Sequence, residues 1–370
     1  MCGSALGFAL NADFRIAHAM TNDDIIIRRE GAAGRITLNR PQALNALTYP
    51  MVGEIARALA AWAGDPAIEL VMLDGAGERA LCAGGDVLSL YESRAEGPAF
   101  ARTFWADEYR LNAQISRFPK PYVALMDGIV MGGGIGLSGH ASHRIVTERS
   151  MLAMPETSIG LIPDVGGTWL LAHAPGAVGT YLGLTGARMS GADAIYAGFA
   201  DTFVASKQLA ELAGALREAK RASVDQIIAN FASAAPASAL RGLADEIGVA
   251  FSGDRVEGIV EALSHRATPW ATKALAGLKT RSPKSLKLTL AALRRARTLP
   301  SLEAALDVEY RLVTRLFEDG EFVEGVRALL VDKDKAPKWN PATLAEVSDA
   351  MVAGLLAPLP KAEELGLGRR

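Results

Sequence analysis

Tyr122-Val123-Ala124-Leu125-Met126-Asp127-Gly128 leads, three residues later, into Gly132-Gly133-Gly134-Ile135-Gly136. An apolar run that stops at a turn reads as a buried strand. The glycine run before Leu137-Ser138 reads as a tight turn entering a helix, where N–H groups and the helix dipole favour negative charge. The same succession recurs on both sides. Upstream, Leu70-Val71-Met72-Leu73-Asp74-Gly75 is a second buried strand, and residues 49–63 carry apolar side chains at helical spacing. Ile25-Ile26-Ile27 and Arg35-Ile36-Thr37-Leu38 flank Gly31 to Gly34 and predict a hairpin, which Asn39-Arg40-Pro41 ends. Alternation of strand, turn and helix to about residue 204 predicts an α/β core over residues 24–204.

From residue 205 to 281 the pattern changes to alanine-rich helices, among them residues 224–232 and 256–263. Ser282-Pro283 then starts a C-terminal helical part, residues 282–350, with helices expected over 284–297 and 301–318 and with Pro300 and Gly320 as punctuation. Residues 351–370 form a tail whose charged end, 361–370, is expected to fray. Residues 1–23 read as a ragged leader. They lack a basic start, and Gly7 breaks their short apolar stretch, so a signal peptide is not expected.

With 370 residues, 50% of them hydrophobic, the chain can bury a large core. A formal net charge of −2 supplies no global basic field, which argues against nucleic acid as a partner. No apolar run approaches the roughly 20 residues that span a bilayer, so no membrane partner is expected. Two cysteines, Cys2 and Cys82, cannot build a disulfide framework and fit a reducing, cytoplasmic setting. The five histidines lack metal-site spacing, and no metal is expected. His140 and His143, three apart, read as a polar helix end.

Three stretches carry chemistry. Leu81-Cys82-Ala83-Gly84-Gly85-Asp86 is a small-residue turn after a strand, where N–H groups can approach a ligand with no side chain in the way. The run Gly132 to Gly136 can supply a second donor. Met154-Pro155-Glu156-Thr157 and Ile162-Pro163-Asp164-Val165-Gly166-Gly167 then bring two carboxylates. Oxyanion donors beside carboxylates are equipment for polarising a carbonyl and activating water. Each carboxylate also has a plain structural reading, Glu156 at a helix start after proline and Asp164 as a helix cap. Glu156 and Asp164 are eight apart with Gly160 and Pro163 between them, so only a doubled-back loop can bring them together.

These motifs, with Ala43-Leu44-Asn45-Ala46-Leu47, Glu108-Tyr109-Arg110-Leu111-Asn112, Ser282-Pro283-Lys284-Ser285-Leu286-Lys287 and Glu324-Gly325-Val326-Arg327-Ala328, resemble the crotonase (enoyl-CoA hydratase/isomerase) superfamily, in this order along residues 25–347. Within it the likeness is greatest to the branch that hydrolyses 3-hydroxyisobutyryl-CoA. The resemblance implies a spiral of ββα repeats followed by helices, with the helical stretch from Ser206 onward expected to cover the acyl pocket, and thioester hydrolysis as a step of valine breakdown. It implies an oxyanion hole from the amides of Gly85 and Gly133. Glu156 would be nucleophile or base, and Asp164 its partner in handling the water or leaving-group proton. Glu108 would meet the substrate hydroxyl, with Ala83 and Asp86 also at the substrate. Coenzyme A would be part of the substrate, with no other cofactor. Its phosphates call for local cations, either Lys333, Lys335 and Lys338 or Arg28, Arg29 and Arg40. Relatives often assemble as trimers, so a homo-oligomer is possible.

Hydratases of this superfamily carry a glutamate two residues after the glycine triplet; here that position is Gly136. Its absence, with Asp164 present, favours hydrolysis over the alternative, hydration or isomerisation. A non-catalytic acyl-CoA-binding protein would need neither carboxylate. Gly134, Gly136 and Gly139 spell GxGxxG, with Glu148 after the next strand, as in NAD-dependent dehydrogenases. The interval to that acidic residue is too short for the usual ~20 residues.

Overall fold

The computed structural model describes residues 23–369, so nearly all of the expected leader lies outside the described residues. Strands β1 (Ile25–Glu30) and β2 (Ala33–Leu38) form the expected hairpin, paired Ile25 to Leu38 through Glu30 to Ala33. Gly31 turns it at φ 59°, in the left-handed region that glycine enters freely. Helix α1 (Tyr49–Gly64) is capped by the Thr48 hydroxyl, which accepts from Met51 N–H, and it buries Met51, Val52, Ile55, Ala56 and Leu59 along one stripe.

The remaining strands are dealt alternately to two sheets. β3 (Leu70–Gly75), β5 (Tyr122–Met126), β7 (His143–Val146) and β10 (Thr202–Phe203) extend the hairpin into a sheet ordered β1-β2-β3-β5-β7-β10, parallel beyond β2. β4 (Ala80–Cys82), β6 (Ile129–Met131), β8 (Met151–Ala153) and β9 (Met189–Ser190) form the second, ordered β4-β6-β8-β9. Helices α2 (Val87–Ser93), α3 (Ala99–Ser116), α4 (Gly133–Ser138) and α5 (Gly167–Ala172) close successive turns of this spiral. This is the crotonase-like α/β spiral that the resemblance implies. It also dissolves the GxGxxG reading, because β6 and β7 lie in different sheets and α4 therefore does not cross between neighbouring parallel strands.

Alternation along β3 and β5 decides what covers each face. Val71, Leu73, Tyr122, Ala124 and Met126 enter the main core, which reaches as far as Leu367. Leu70, Met72, Val123 and Leu125 point the other way, onto Leu212, Leu216, Val224 and Ile228 of the helices Leu209–Arg217 and Val224–Phe231. The alanine-rich stretch after Ser206, expected over the acyl pocket, therefore covers the far face of the large sheet instead. Its later helices pack Phe251 and Trp270 on Tyr181, with ring centroids 5.3 and 5.6 Å apart.

The tail corrects a second expectation. Instead of fraying, it docks on the helix Leu302–Glu318: Leu359 and Leu367 are buried, and Asp307 accepts from Leu367 N–H at 2.8 Å and Gly368 N–H at 3.0 Å. Arg311 binds Glu364 through Nε at 2.8 Å and Nη2 at 2.8 Å, with both side chains nearly enclosed. Removing one partner of a buried pair strands the other charge away from water. Arg311→Ala should therefore lower unfolding free energy by about 3 kcal/mol, read by urea denaturation; a change within experimental error would mean that the tail is not held by this pair.

Candidate active site

β4 and β6 run parallel, so the turns that follow them emerge at the same end of the small sheet. There the backbones nearly touch. A Cβ on Gly134 would lie 2.3 Å from Cys82 O, and one on Gly133 would lie 3.1 Å from Gly85 N. Leu47 N–H donates to Gly84 O and Asp86 N–H donates to Leu47 O, which turns the Gly85 N–H away from that bridge. Gly133 opens α4, so its N–H has no acceptor within the helix. Both amides border a cavity of about 230 Å³ that Ala83, Glu108, Glu156 and Asp164 also line, with Leu329 and Leu330 joining from the C-terminal part.

Glu156 begins the 3₁₀ turn Glu156–Ile159 and is 5% exposed. A Cβ on Gly132 would come within 3.0 Å of its Oε1, which places the carboxyl against the glycine turn, while Oε2 has no partner. Asp164 is 6% exposed and is not a helix cap: Gly166 occupies the cap position of α5, and the Asp164 Oδ2 accepts from the Tyr109 hydroxyl at 2.6 Å. Glu108 lies one residue before Tyr109 on α3, buried, with Oε1 unpartnered. A Cβ on Gly133 would lie 2.8 Å from that oxygen.

Several carboxyls thus share one buried pocket with no cation among the hydrogen bonds they make, and burial dominates their titration. Burial, reinforced by the Asp164 charge, pushes Glu156 and Glu108 well above the usual carboxylate range. Burial raises Asp164 only to about 6, because the Tyr109 hydroxyl stabilises its anion. Glu156 and Asp164 therefore titrate together, both above the usual carboxylate range, because they share one buried pocket.

Asp86 sits elsewhere than expected. Its carboxylate caps α2, accepting from Ser89 N–H, and faces Arg40 at 3.7 Å, so it shapes the Gly85 turn from outside the cavity lining. His140 does follow the end of α4, as a polar helix end would, and it is committed to a partner. Its Nε2 meets Val165 O at 2.8 Å, and burial lowers its ring to about 4, so the neutral ring donates. Of the basic candidates, Arg28 and Arg40 are committed to Glu30 and to Asp24 and Asp86, and Arg29 donates to Gly31 O. Lys333, Lys335 and Lys338 are exposed and follow the π-helix Arg327–Val331, which carries Leu329 and Leu330 to the cavity. Among the described residues, no group of three or more His, Cys, Asp or Glu is placed to hold a metal ion.

Sequence reading missed Tyr109, Asn112 and Glu309. The first two had a signal: with Trp105 and Glu108 they fall at helical spacing on the buried face of α3, where polar side chains need a reason. Glu309 had none, because its partners lie over 140 residues away, at Gly166 and Thr168.

A family model described as enoyl-CoA hydratase/isomerase matches residues 33–356. The chain belongs to the enoyl-CoA hydratase/isomerase family. Curated family members similar to it include the mitochondrial 3-hydroxyisobutyryl-CoA hydrolases of Gallus gallus, 41% identical over 92% of this chain and 91% of that one, and of Rattus norvegicus, 42% identical over 88% and 86%. Solved structures similar to it include a carnitinyl-CoA dehydratase from Mycobacterium thermoresistibile, 48% identical with a TM-score of 0.88 over 93% of this chain and 98% of that one. An enoyl-CoA hydratase from Rhodobacter sphaeroides 2.4.1 is also 48% identical, with a TM-score of 0.88 over 92% and 99%.

Asp164 keeps its proton to about pH 6 in the folded chain but loses it near pH 4 when unfolded. The folded state binds more protons in that window, so this group's contribution to stability falls as pH rises through it. Asp164→Asn cannot ionise and should be more stable than wild type by roughly 2 kcal/mol at pH 8 but about equal at pH 4. Paired denaturation curves at the two pH values test this; an equal difference at both would remove the titration from the explanation.

Proposed function

We propose that this family member is an acyl-CoA thioester hydrolase that converts 3-hydroxyisobutyryl-CoA and water to 3-hydroxyisobutyrate and free coenzyme A. The observation that carries this reading is the closure of position 136. A Cβ there would stand 2.8 Å from Asn112 Nδ2 and 2.8 Å from Val165 Cβ, so the glutamate expected of a hydratase has no room. The second carboxylate comes instead from Asp164, which lines the same cavity. The names of the curated relatives agree, as hydrolases at about 40% identity over most of the chain. Names of the two solved relatives favour hydration, and that is the reading the experiment must exclude.

In the proposed reaction the Gly85 and Gly133 amides hold the thioester oxygen as negative charge develops on it, an interaction worth about 3 kcal/mol per donor. Glu156, pressed against the glycine turn, attacks the carbonyl carbon directly or through a water, and Asp164 accepts the proton released. The C–S bond breaks, and the departing sulfur takes a proton from the carboxyl pair. Attack by Glu156 gives a mixed anhydride that water then opens; attack by water gives the acid in one stage. Glu108, with Oε1 unpartnered and its residue lining the cavity, is the acceptor for the 3-hydroxyl, and the exposed Lys333, Lys335 and Lys338, which follow the helix bearing Leu329 and Leu330, suit the phosphates of coenzyme A. One methyl separates this substrate from 3-hydroxypropionyl-CoA, which a pocket distinguishes by only ~1–3 kcal/mol. Among the described residues no helix is long and apolar enough to cross a membrane. The relatives are mitochondrial by name, and cysteine usage alone does not separate that compartment from the cytoplasm.

Thiol release from 3-hydroxyisobutyryl-CoA, with hydration of crotonyl-CoA followed on the same sample, tests the proposal. Glu156→Gln should lower kcat for thiol release at least ~100-fold with little change in KM. Hydration without thiol release would reject hydrolysis, and an unchanged rate in the variant would reject the role of Glu156.

A further inference from the structure

The segment carrying Asp164 has a conformation its own residues disfavour. Val165 sits at φ 52°, in the left-handed region, where a β-branched side chain is crowded by its own backbone. Gly166 follows at φ 80°. Such a residue persists only when its surroundings over-determine it. Here they do so from two sides. His140 binds Val165 O at 2.8 Å, and a Cβ on Gly166 would fall 2.4 Å from the same imidazole nitrogen. From the opposite side Glu309, on the helix Leu302–Glu318, accepts from Gly166 N–H at 2.7 Å, from Thr168 N–H at 2.9 Å and from the Thr168 hydroxyl.

Glu309 is fully buried, and its hydrogen bonds all go to this one segment. A carboxylate enclosed without a cation is costly, and a core position on that helix would accept leucine in its place. What glutamate adds is a pair of acceptor oxygens for the Gly166 and Thr168 N–H groups and the Thr168 hydroxyl, donors that leucine would leave unpaired at the start of α5. Burial pushes the Glu309 carboxyl up to about 8, its hydrogen bonds from Thr168 and Gly166 hold it down against that rise, and the nearby Asp164 charge adds to it.

We propose that Glu309, opposed by His140, is a positioning residue that holds Asp164-Val165-Gly166 in its left-handed turn and thereby sets the direction of the Asp164 carboxylate. It touches no substrate and acts only through Asp164. The inference rests on the catalytic role proposed for Asp164, so its test needs a readout besides turnover.

Three full-length proteins decide it: Glu309→Gln, Glu309→Asp, and Glu309→Gln combined with Val165→Gly. Glutamine keeps the size but presents an amide donor to one of the N–H groups. Steady-state thiol release should show kcat down at least ~30-fold in Glu309→Gln with KM within about threefold, since the acyl-CoA contacts are untouched. Glu309→Asp, which keeps the carboxylate, should recover part of that loss. Val165→Gly should recover at least about threefold in the glutamine background, because glycine adopts the left-handed turn without the clamp. Hydrogen exchange, followed peptide by peptide, should quicken in residues 163–169 of Glu309→Gln while the rest of the chain keeps its protection. A kcat within threefold of wild type overturns the proposal, and so does quickened exchange spread evenly over the molecule. If wild type releases no thiol, the hydrolase reading fails, while the exchange pattern still decides whether Glu309 holds the turn.

Discussion

Two backbone turns that approach more closely than any side chain allows set the terms for the rest of the structure. A Cβ on Gly134 would overlap Cys82 O at 2.3 Å, and one on Gly133 would press on Gly85 N at 3.1 Å. Only this contact brings amides from the ends of β4 and β6 to one point, and only a spiral that sends successive strands to alternate sheets makes β4 and β6 neighbours. Packing of the large sheet, the hairpin and α1 serves to fix those two ends. A preorganised pair of donors costs nothing to reorganise when charge develops on the substrate, which is why rigidity here matters more than affinity.

Carboxyl groups set against those donors create the second constraint. Glu108, Glu156, Asp164 and Glu309 are all buried, and their recorded hydrogen bonds come from hydroxyls and backbone amides, not cations. The C-terminal helices hold this arrangement together. Glu321 O blocks any side chain at Gly160, Ile159 does the same at Gly325, and Ser282 N–H reaches Thr157 O at 3.3 Å, so the Glu156 turn is gripped by the helices that follow Ser282. Lys284, paired with Asp319 at 2.7 Å and Glu321 at 3.3 Å, supplies the cation next to that grip. The motifs around Ser282 and Glu324, which carried no chemistry in the sequence, thus support the Glu156 turn, more than 120 residues away from them.

What could be read from the sequence follows from how local the cause was. Residues 70–75 and the helix over residues 49–63 were legible because strand and helix periods are written in neighbouring side chains. The glycine turns and the two carboxyls proposed for catalysis stood out in the sequence through motif likeness. Placing the helices after Ser206 required knowing which face of β3 and β5 lay uncovered, and residues 70 and 71 look equally apolar from sequence. Docking of the tail depends on Asp307 and Arg311 meeting residues more than 50 positions on, so a charged end read as solvated. Tyr109 and Glu309 act across 55 and 143 residues, and no local pattern encodes such pairs.

One loop conformation ties the two halves of the functional argument together. Val165 closes position 136 only because its left-handed backbone swings Cβ to 2.8 Å from where a side chain at Gly136 would start. That same turn presents Asp164 to the cavity and to Tyr109. Adding a hydratase glutamate at 136 therefore requires more than a new side chain: Asn112 must give way and the turn must relax, which moves Asp164. A side chain at 136 and the present placement of Asp164 are thus alternatives of one loop conformation, and on the proposed reading that conformation decides between attacking a carbonyl and hydrating a double bond.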